Sequence, residues 1–278
     1  IHWRDWSSDV CSSDLIPDAP GCYIFYGENR TPLYIGKSIS LRSRVMGHFQ
    51  GSLTQRKEMK LSLQVRDIDW IETSGELGAL ILESKLIKER MPSMNIKLRR
   101  SRDLCAWSLD KDAGGILRPA LVNHKDLMPG LQDNLFGLFY SKREANSYLK
   151  AIAKKYRLCE VLLGLEKAIE GKSCFGYQVK QCGGACIGIM PTEMHNLQLR
   201  TAMELFRVQV WPYKGPIAIK DNGEMIVLDK WCYLGTAINE DELTELKSAG
   251  DAEFDLDIYK IVKKALAGQY QNQVIHLS

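Results

Sequence analysis

The sequence predicts an α/β fold (α+β in arrangement): a small β-sheet flanked by helices, then a helical cysteine-rich region, then a small C-terminal α+β region. Three observations predict it. Two short aromatic and β-branched runs, CYIFY (residues 22–26) and PLYIG (residues 32–36), flank the turn-like Gly27-Glu28-Asn29-Arg30-Thr31, the pattern of a hairpin. Apolar residues recur at helical spacing over residues 76–90 and again over 141–158. Near the C-terminus, Asp221-Asn222-Gly223 separates two strand-like runs, and Asn-Gly is a strong hairpin turn.

The elements follow in order. Residues 1–15, IHWRDWSSDVCSSDL, show neither strand nor helix period. Part of this stretch, WSSDVCSSDL, resembles the translation of a short-read sequencing adapter. Residues 1–15 are therefore expected to be an assembly artefact standing in place of the native start and are set aside from fold reasoning; an ordinary leader is the alternative. Residues 16–100 read as one module. After the hairpin, Ser40 is placed to cap a helix carrying Leu41, Val45 and Phe49. A third strand fits residues 68–73. Thr73 to Glu76 has the capping-box pattern, and the helix that follows runs to about Arg90, ahead of Pro92. Residues 101–205 read as a linker and a cysteine-rich helical domain. The basic patch Arg99-Arg100-Ser101-Arg102 spans the boundary, and a strand fits near 105–109. Helices follow over 141–158 (Ala145, Tyr148, Leu149, Ile152) and 192–205. Residues 206–278 read as two strands, 215–220 and 225–235, and a last helix over 257–267.

Composition narrows the function. No run of eighteen apolar residues is present, so no membrane-spanning helix is expected. No charged, then apolar, then small-residue start marks a secretory signal, so the cytoplasm is the expected compartment, where thiols stay reduced. The net charge of +3 is nearly balanced, but residues 16–100 hold 14 Lys and Arg against 9 Asp and Glu. That local excess suits a polyanion and equally an ordinary solvated surface.

Glu83 is the most informative carboxylate. On the predicted helix its same-face neighbours are Ala79, Leu80, Leu86 and Ile87. A carboxylate among apolar groups needs a cation, a hydrogen-bond donor or a metal. The pattern by itself leaves two readings open, a metal ligand and a partly buried ion pair. Glu76 reads as a cap and Glu89 as a solvated charge. Tyr23 and Tyr34 lie on the two hairpin strands, where packing is the ordinary role of a tyrosine.

The segment GCYIFYGENRTPLYIGKSISLRSRVMGHF resembles the signature of the GIY-YIG nucleases. Gly21-Cys22-Tyr23 stands for the first triplet, with cysteine in place of isoleucine, and Tyr34-Ile35-Gly36 for the second. Lys37, Arg44 and the helical segment LILESKLIK extend the match to the nuclease half of UvrC, closest to its short Cho-like branch. Over residues 16–188 the likeness is to both; the remainder resembles only that branch. The resemblance implies that Glu83 holds a single Mg²⁺ or Mn²⁺ ion. It also implies that Tyr34 acts as general base toward water while Tyr23 supports it, and that Arg44 contacts the scissile phosphate. Asn95 then braces the site. Lys37 and the metal are expected to supply the positive charge that a tyrosine base requires. His48 departs from the tyrosine of many UvrC sequences and matches the Cho-like ones. A proton-exchanging histidine and a surface histidine near a helix end both remain open.

The eight cysteines include Cys159-x14-Cys174-x7-Cys182-x3-Cys186. Four thiols so close together suit a soft-ligand site. The last three spacings resemble the UvrC cysteine region, which implies a [4Fe–4S] cluster; zinc and free structural thiols are the alternatives. Cys22, Cys105 and Cys232 read as small core residues. Taken together, the resemblance implies a DNA endonuclease cutting damaged double-stranded DNA on the 3′ side of a lesion. It would act with UvrB, loaded by UvrA upstream. A catalytically idle iron–sulfur DNA-binding module and a mobile-element nuclease are the alternatives.

Overall fold

A computed structural model describes residues 15–50, 56–96, 104–167, 169, 172–248 and 252–277. Residues 1–14 of the suspected adapter and the basic patch at 99–102 lie outside the described residues. The chain forms two compact units, residues 1–100 with 213–278, and residues 101–212.

The first unit opens with β1 (Gly21–Tyr26), β2 (Pro32–Ser38) and β3 (Asp67–Glu72), antiparallel in the order β2-β1-β3. All six residues of β1 are buried, so the central strand is covered on both faces. Its alternation sorts two cores. Tyr23 and Phe25 pack with Leu41 and Val45 of α1 (Leu41–Gln50) and Leu61 of α2 (Arg56–Ser62). Cys22, Ile24 and Tyr26 pack with Leu86 and Ile87 of α3 (Glu76–Arg90). The Cys22 thiol donates to the Ala79 carbonyl at 3.1 Å and is fully buried, a packing residue held well up from the usual thiol range by its burial.

Two cap expectations change. The Ser40 carbonyl accepts the Arg44 N–H at 3.1 Å, as at a helix start, but its hydroxyl donates to Asp18. The expected capping box at Thr73–Glu76 does not form. Gly75 is the N-cap residue, and the Thr73 hydroxyl donates to its carbonyl at 2.9 Å. The reason is a distant competitor. Asp221 places Oδ2 2.7 Å from the Gly78 N–H, satisfying a donor that a local cap would otherwise take. A Cβ on residue 75 would lie 1.9 Å from Asp221 Oδ1, so only glycine fits.

The second unit is not the helical domain the sequence suggests. It is built on β4 (Cys105–Lys111), β5 (Leu117–Asn123) and β6 (Phe136–Phe139), a sheet of order β5-β4-β6. Cys105, Trp107 and Leu109 point into one core at period 2, with Leu149 of α4 (Lys142–Tyr156). The Ser141 hydroxyl caps α4 by accepting the Glu144 N–H at 3.2 Å. Asp112 makes the β4–β5 turn by accepting from Gly114 and Ile116 N–H, with Gly115 at φ 75°. The cysteine segment itself is mostly turns. Its regular pieces are α5 (Phe175–Gln178) and a 3-10 turn at Ala185–Ile187, before α6 (Thr192–Glu204), whose Leu199 joins the core.

The chain then returns to the first unit. β7 (Ile217–Asp221), β8 (Glu224–Asp229), β9 (Cys232–Ala237) and β10 (Val274–His276) pair in the order β10-β7-β8-β9. Residues 225–235, expected as one strand, therefore split into a second hairpin. Lys230 and Trp231 turn the chain at φ 48° and 66°, without the Asn or Gly such a turn favours. Burial of Trp231, 1% exposed and edge-on to Tyr259 at 5.1 Å, offsets that strain. Cys232 consequently sits half-buried at the turn rather than in the core. α7 (Glu240–Ser248), which the sequence reading lacked, packs on β9, and α8 (Leu256–Leu266) packs on α3. Asp255 caps α8, accepting from Asp257 and Ile258 N–H, and also accepts Lys88 Nζ of α3 at 2.6 Å.

Candidate active site

Glu83 lies on the stripe of α3 that also carries Glu76, Leu80 and Ile87. Its Oε1 accepts the backbone N–H of Lys37 at 3.1 Å, which ties α3 to β2. Burial raises its carboxyl above the ordinary range; the Lys37 N–H and the charges of Lys37 and Arg44 pull the other way. A half-buried carboxylate oxygen of this kind is the hard donor that Mg²⁺ or Mn²⁺ takes. The Lys37 ammonium is not spent on a tyrosine. It pairs with Glu76 Oε1 at 2.5 Å, so Glu76 is an ion-pair partner and not a cap.

Across the same sheet, the ring of Tyr23, fully buried, packs 6.1 Å from that of Tyr34 and 5.4 Å from that of His48. Tyr23 Oη lies 2.6 Å from His48 Nε2, and His48 Nδ1 lies 2.5 Å from Glu58 Oε2. His48 is 6% exposed, so it is no surface histidine. The Arg44 guanidinium acts electrostatically on the Tyr23 hydroxyl from a more exposed position. Burial raises both phenols, and on Tyr34 the opposing cation is Arg44. Arg44 thus puts positive charge beside Tyr34, a role the sequence reading gave to Lys37 and the metal.

Gly36 is what lets Tyr23 reach its place. The two residues face each other across the β1–β2 ladder, and a Cβ on Gly36 would stand 2.4 Å from Tyr23 Oη. Gly36→Ala is expected to leave the fold intact, displace the phenol and slow single-turnover DNA cleavage by about a hundredfold, as misplacement by an ångström does. A Gly36→Ala protein cleaving at the wild-type rate would contradict this.

Asn95 clamps Ile35 on both sides, its Oδ1 accepting the Ile35 N–H at 2.9 Å and its Nδ2 donating to the Ile35 carbonyl at 2.8 Å. β2 is thereby fixed between Tyr34 and Gly36. Arg42 points away, its Nε donating to the Ile16 carbonyl at 2.8 Å. The structure brings Tyr23, Tyr34, Arg44, His48 and Glu83 into one electrostatic neighbourhood, with Lys37 and Asn95 holding β2 around it. Sequence reasoning missed Glu58. It stands in the charged run RKEMK and carries no motif; its position beside His48 follows from how α1 and α2 pack.

In the second unit, the Sγ atoms of Cys159, Cys174 and Cys182 lie within 4.8 Å of one another, all buried. Cys186, the fourth cysteine of the sequence reading, stands outside that group of three, and its Sγ accepts the Cys174 N–H at 3.4 Å. Cys174 and Cys182 sulfurs each accept a backbone N–H at 3.3 Å, from Tyr177 and Gly184. Burial acts to raise the Cys159 thiol, but N–H groups of Leu162 and Val161 and the neighbouring thiols outweigh it and lower it. Thiols gathered around one point, with amides aimed at their sulfurs, fit a soft metal centre.

Three family models match the chain in succession: the UvrC-like GIY-YIG domain over residues 19–96, the UvrC/Cho excinuclease middle domain over 104–205, and the excinuclease Cho C-terminal domain over 216–278. Excinuclease Cho of Escherichia coli O6:H1 is 43% identical, the match covering 97% of this chain and 88% of the relative. The chain belongs to the excinuclease Cho family. A second Cho, from Salmonella typhi, is 40% identical over 99% of this chain and 90% of its own length. The UvrABC system protein C of Methanosarcina acetivorans shares 29% identity over 70% of this chain and 36% of itself. The GIY-YIG N-terminal endonuclease domain of UvrC from Thermotoga maritima, solved with magnesium, is 31% identical, covering 30% of this chain and 91% of that one, with a TM-score of 0.28. As a Cho family member the chain carries a GIY-YIG endonuclease domain, and no described helix is long and apolar enough to cross a membrane.

Proposed function

We propose that this chain is a metal-dependent DNA endonuclease that makes a single incision on the 3′ side of a lesion in nucleotide excision repair. The observation that carries the reading is Glu83: a carboxylate raised by burial, pinned to Lys37 N–H, with Arg44, Tyr23 and Tyr34 acting on the same neighbourhood. In this reading Glu83 holds Mg²⁺ or Mn²⁺, and the bound ion supplies charge stabilisation for the phosphoryl oxygens. Arg44 orients the phosphate through its planar fork. Tyr34 takes a proton from the attacking water, Tyr23 and His48 support it, and Lys37 and Asn95 keep β2 in register.

Residues 16–100 are the nuclease segment, residues 101–205 hold the cysteines, and residues 206–278 are the Cho-type ending. Cys159, Cys174, Cys182 and Cys186 hold a [4Fe–4S] cluster, with zinc as the alternative; metal analysis of anaerobically purified protein decides between them. The substrate is damaged double-stranded DNA presented in the cytoplasm by UvrB after UvrA has loaded it. The test combines the purified chain with UvrA, UvrB, Mg²⁺ and a lesion-bearing duplex. One 3′ cut is expected; two cuts flanking the lesion, or none, would overturn the reading.

A further inference from the structure

We propose that Glu58 is a positioning residue for cleavage, acting through His48. The inference rests on the nuclease reading of the Tyr23–Glu83 site and concerns a residue outside the two triplets and the glutamate helix. A carboxylate only accepts hydrogen bonds. Glu58 Oε2, 2.5 Å from His48 Nδ1, therefore requires the proton on Nδ1. In the neutral ring that leaves Nε2 as an acceptor, and Tyr23 Oη at 2.6 Å must donate to it. With its proton committed to His48, Tyr23 turns its lone pairs away from that ring, toward the side where the Arg44 charge and Tyr34 lie. Tyr23 thus accepts on the substrate side, as an oxygen receiving a hydrogen bond from Arg44 or from water must. Without Glu58 the ring is free to carry its proton on Nε2, which would reverse the bond and point the phenol proton at Arg44.

The placement is fixed from both sides. His48 is buried on α1, and its ring meets Phe25 edge-on at 5.3 Å, so it has little freedom to turn. Glu58 comes from a different helix, α2, and together with Tyr34, His48 and Lys60 it lines a cavity of about 530 Å³. The carboxylate end of the chain Tyr23–His48–Glu58 therefore meets that cavity, while the phenol end meets Arg44.

The experiment compares the full chain with Glu58→Gln, which keeps an acceptor oxygen, and Glu58→Met, which keeps the length without one. The nitrogen chemical shifts of the His48 ring report which nitrogen holds the proton. Wild type and Glu58→Gln are expected to show Nδ1–H, and Glu58→Met a shift toward Nε2–H. With DNA saturating, Glu58→Met is expected to slow cleavage about ten- to a hundredfold with KM unchanged, the usual effect of losing an orienting partner. In a His48→Tyr background the same substitution is expected to change the rate by less than about twofold, because the partner it acts through is gone. Nε2–H in the wild-type ring, equal behaviour of Gln and Met, or the same loss in the His48→Tyr background would each overturn the proposal. If wild type does not cut DNA, the nuclease reading fails, and the ring nitrogens still decide whether Glu58 sets the tautomer.

Discussion

Glu83→Gln is expected to abolish incision and, in the absence of metal, to make the protein more stable at neutral pH. The two effects have one cause. Burial raises the Glu83 carboxyl above its unfolded value, so the folded chain binds a proton more readily than the unfolded chain does. Stability therefore falls as pH rises through the window between the unfolded and folded values. Above that window the ionised carboxylate costs stability in full. Below the ordinary glutamate range both states are protonated and the cost vanishes. Glutamine keeps the shape and an acceptor for the Lys37 N–H while removing the charge. In a chelator-containing buffer, the melting temperature of Glu83→Gln should exceed that of wild type at neutral pH, and the difference should close as the solution is acidified. Added Mg²⁺ should raise the wild type alone, since binding stabilises only a competent site. Cleavage should fall by at least about a thousandfold, the scale of losing a metal's charge stabilisation. A glutamine variant less stable than wild type at neutral pH would show that the buried carboxylate is structural.

Asp221→Ala is expected to destabilise the first unit by about 2–4 kcal/mol, because it strands two hydrogen-bond donors at once. Asp221 is 2% exposed. Its Oδ2 receives the Gly78 N–H at 2.7 Å, and its Oδ1 receives the Tyr270 hydroxyl at 2.8 Å. Tyr270 records the contact: burial, and then Asp221 beside it, push its phenol up to about 12. Alanine would leave the start of α3 without its acceptor and Tyr270 without its partner, in a place water reaches poorly. Asp221→Asn, which retains one carbonyl oxygen, should cost less. Denaturant unfolding followed by probes in each unit checks the result. A loss confined to the first unit is expected, and a variant as stable as wild type would mean that local groups can cap α3 after all.

What the sequence made legible was local. The hairpin around Gly27–Thr31, the helix over Glu76–Arg90 and the Ser141-capped α4 all carry their signals within a few residues. The errors arose where a distant residue decided. Thr73–Glu76 has a capping-box pattern, yet Asp221 took the helix start and Lys37 took Glu76. Residues 225–235 read as one apolar run, yet the buried Trp231 fixes a turn inside it. β4 was visible as a short alternation, but its partner β5 includes Pro119, and β6 has only four residues; neither shows a strand pattern of its own. The site divides the same way. Tyr23, Tyr34, Arg44 and Glu83 were legible through the two triplets and the glutamate helix. Glu58 was not, because its partner was set by the packing of α1 on α2.

The contacts that hold α3 reach far along the chain. Gly78 meets Asp221 across 143 residues, Ser74 meets Asn222 across 148, and Lys88 meets Asp255 across 167. All of the second unit lies within those spans. On the ribosome, then, the strands and α3 emerge early, while Asp221 and Asp255, which hold the two ends of α3, follow only after the whole of the second unit. A growing chain therefore holds α3 at first by β1 and β2 alone, and gains the clamps on its two ends last.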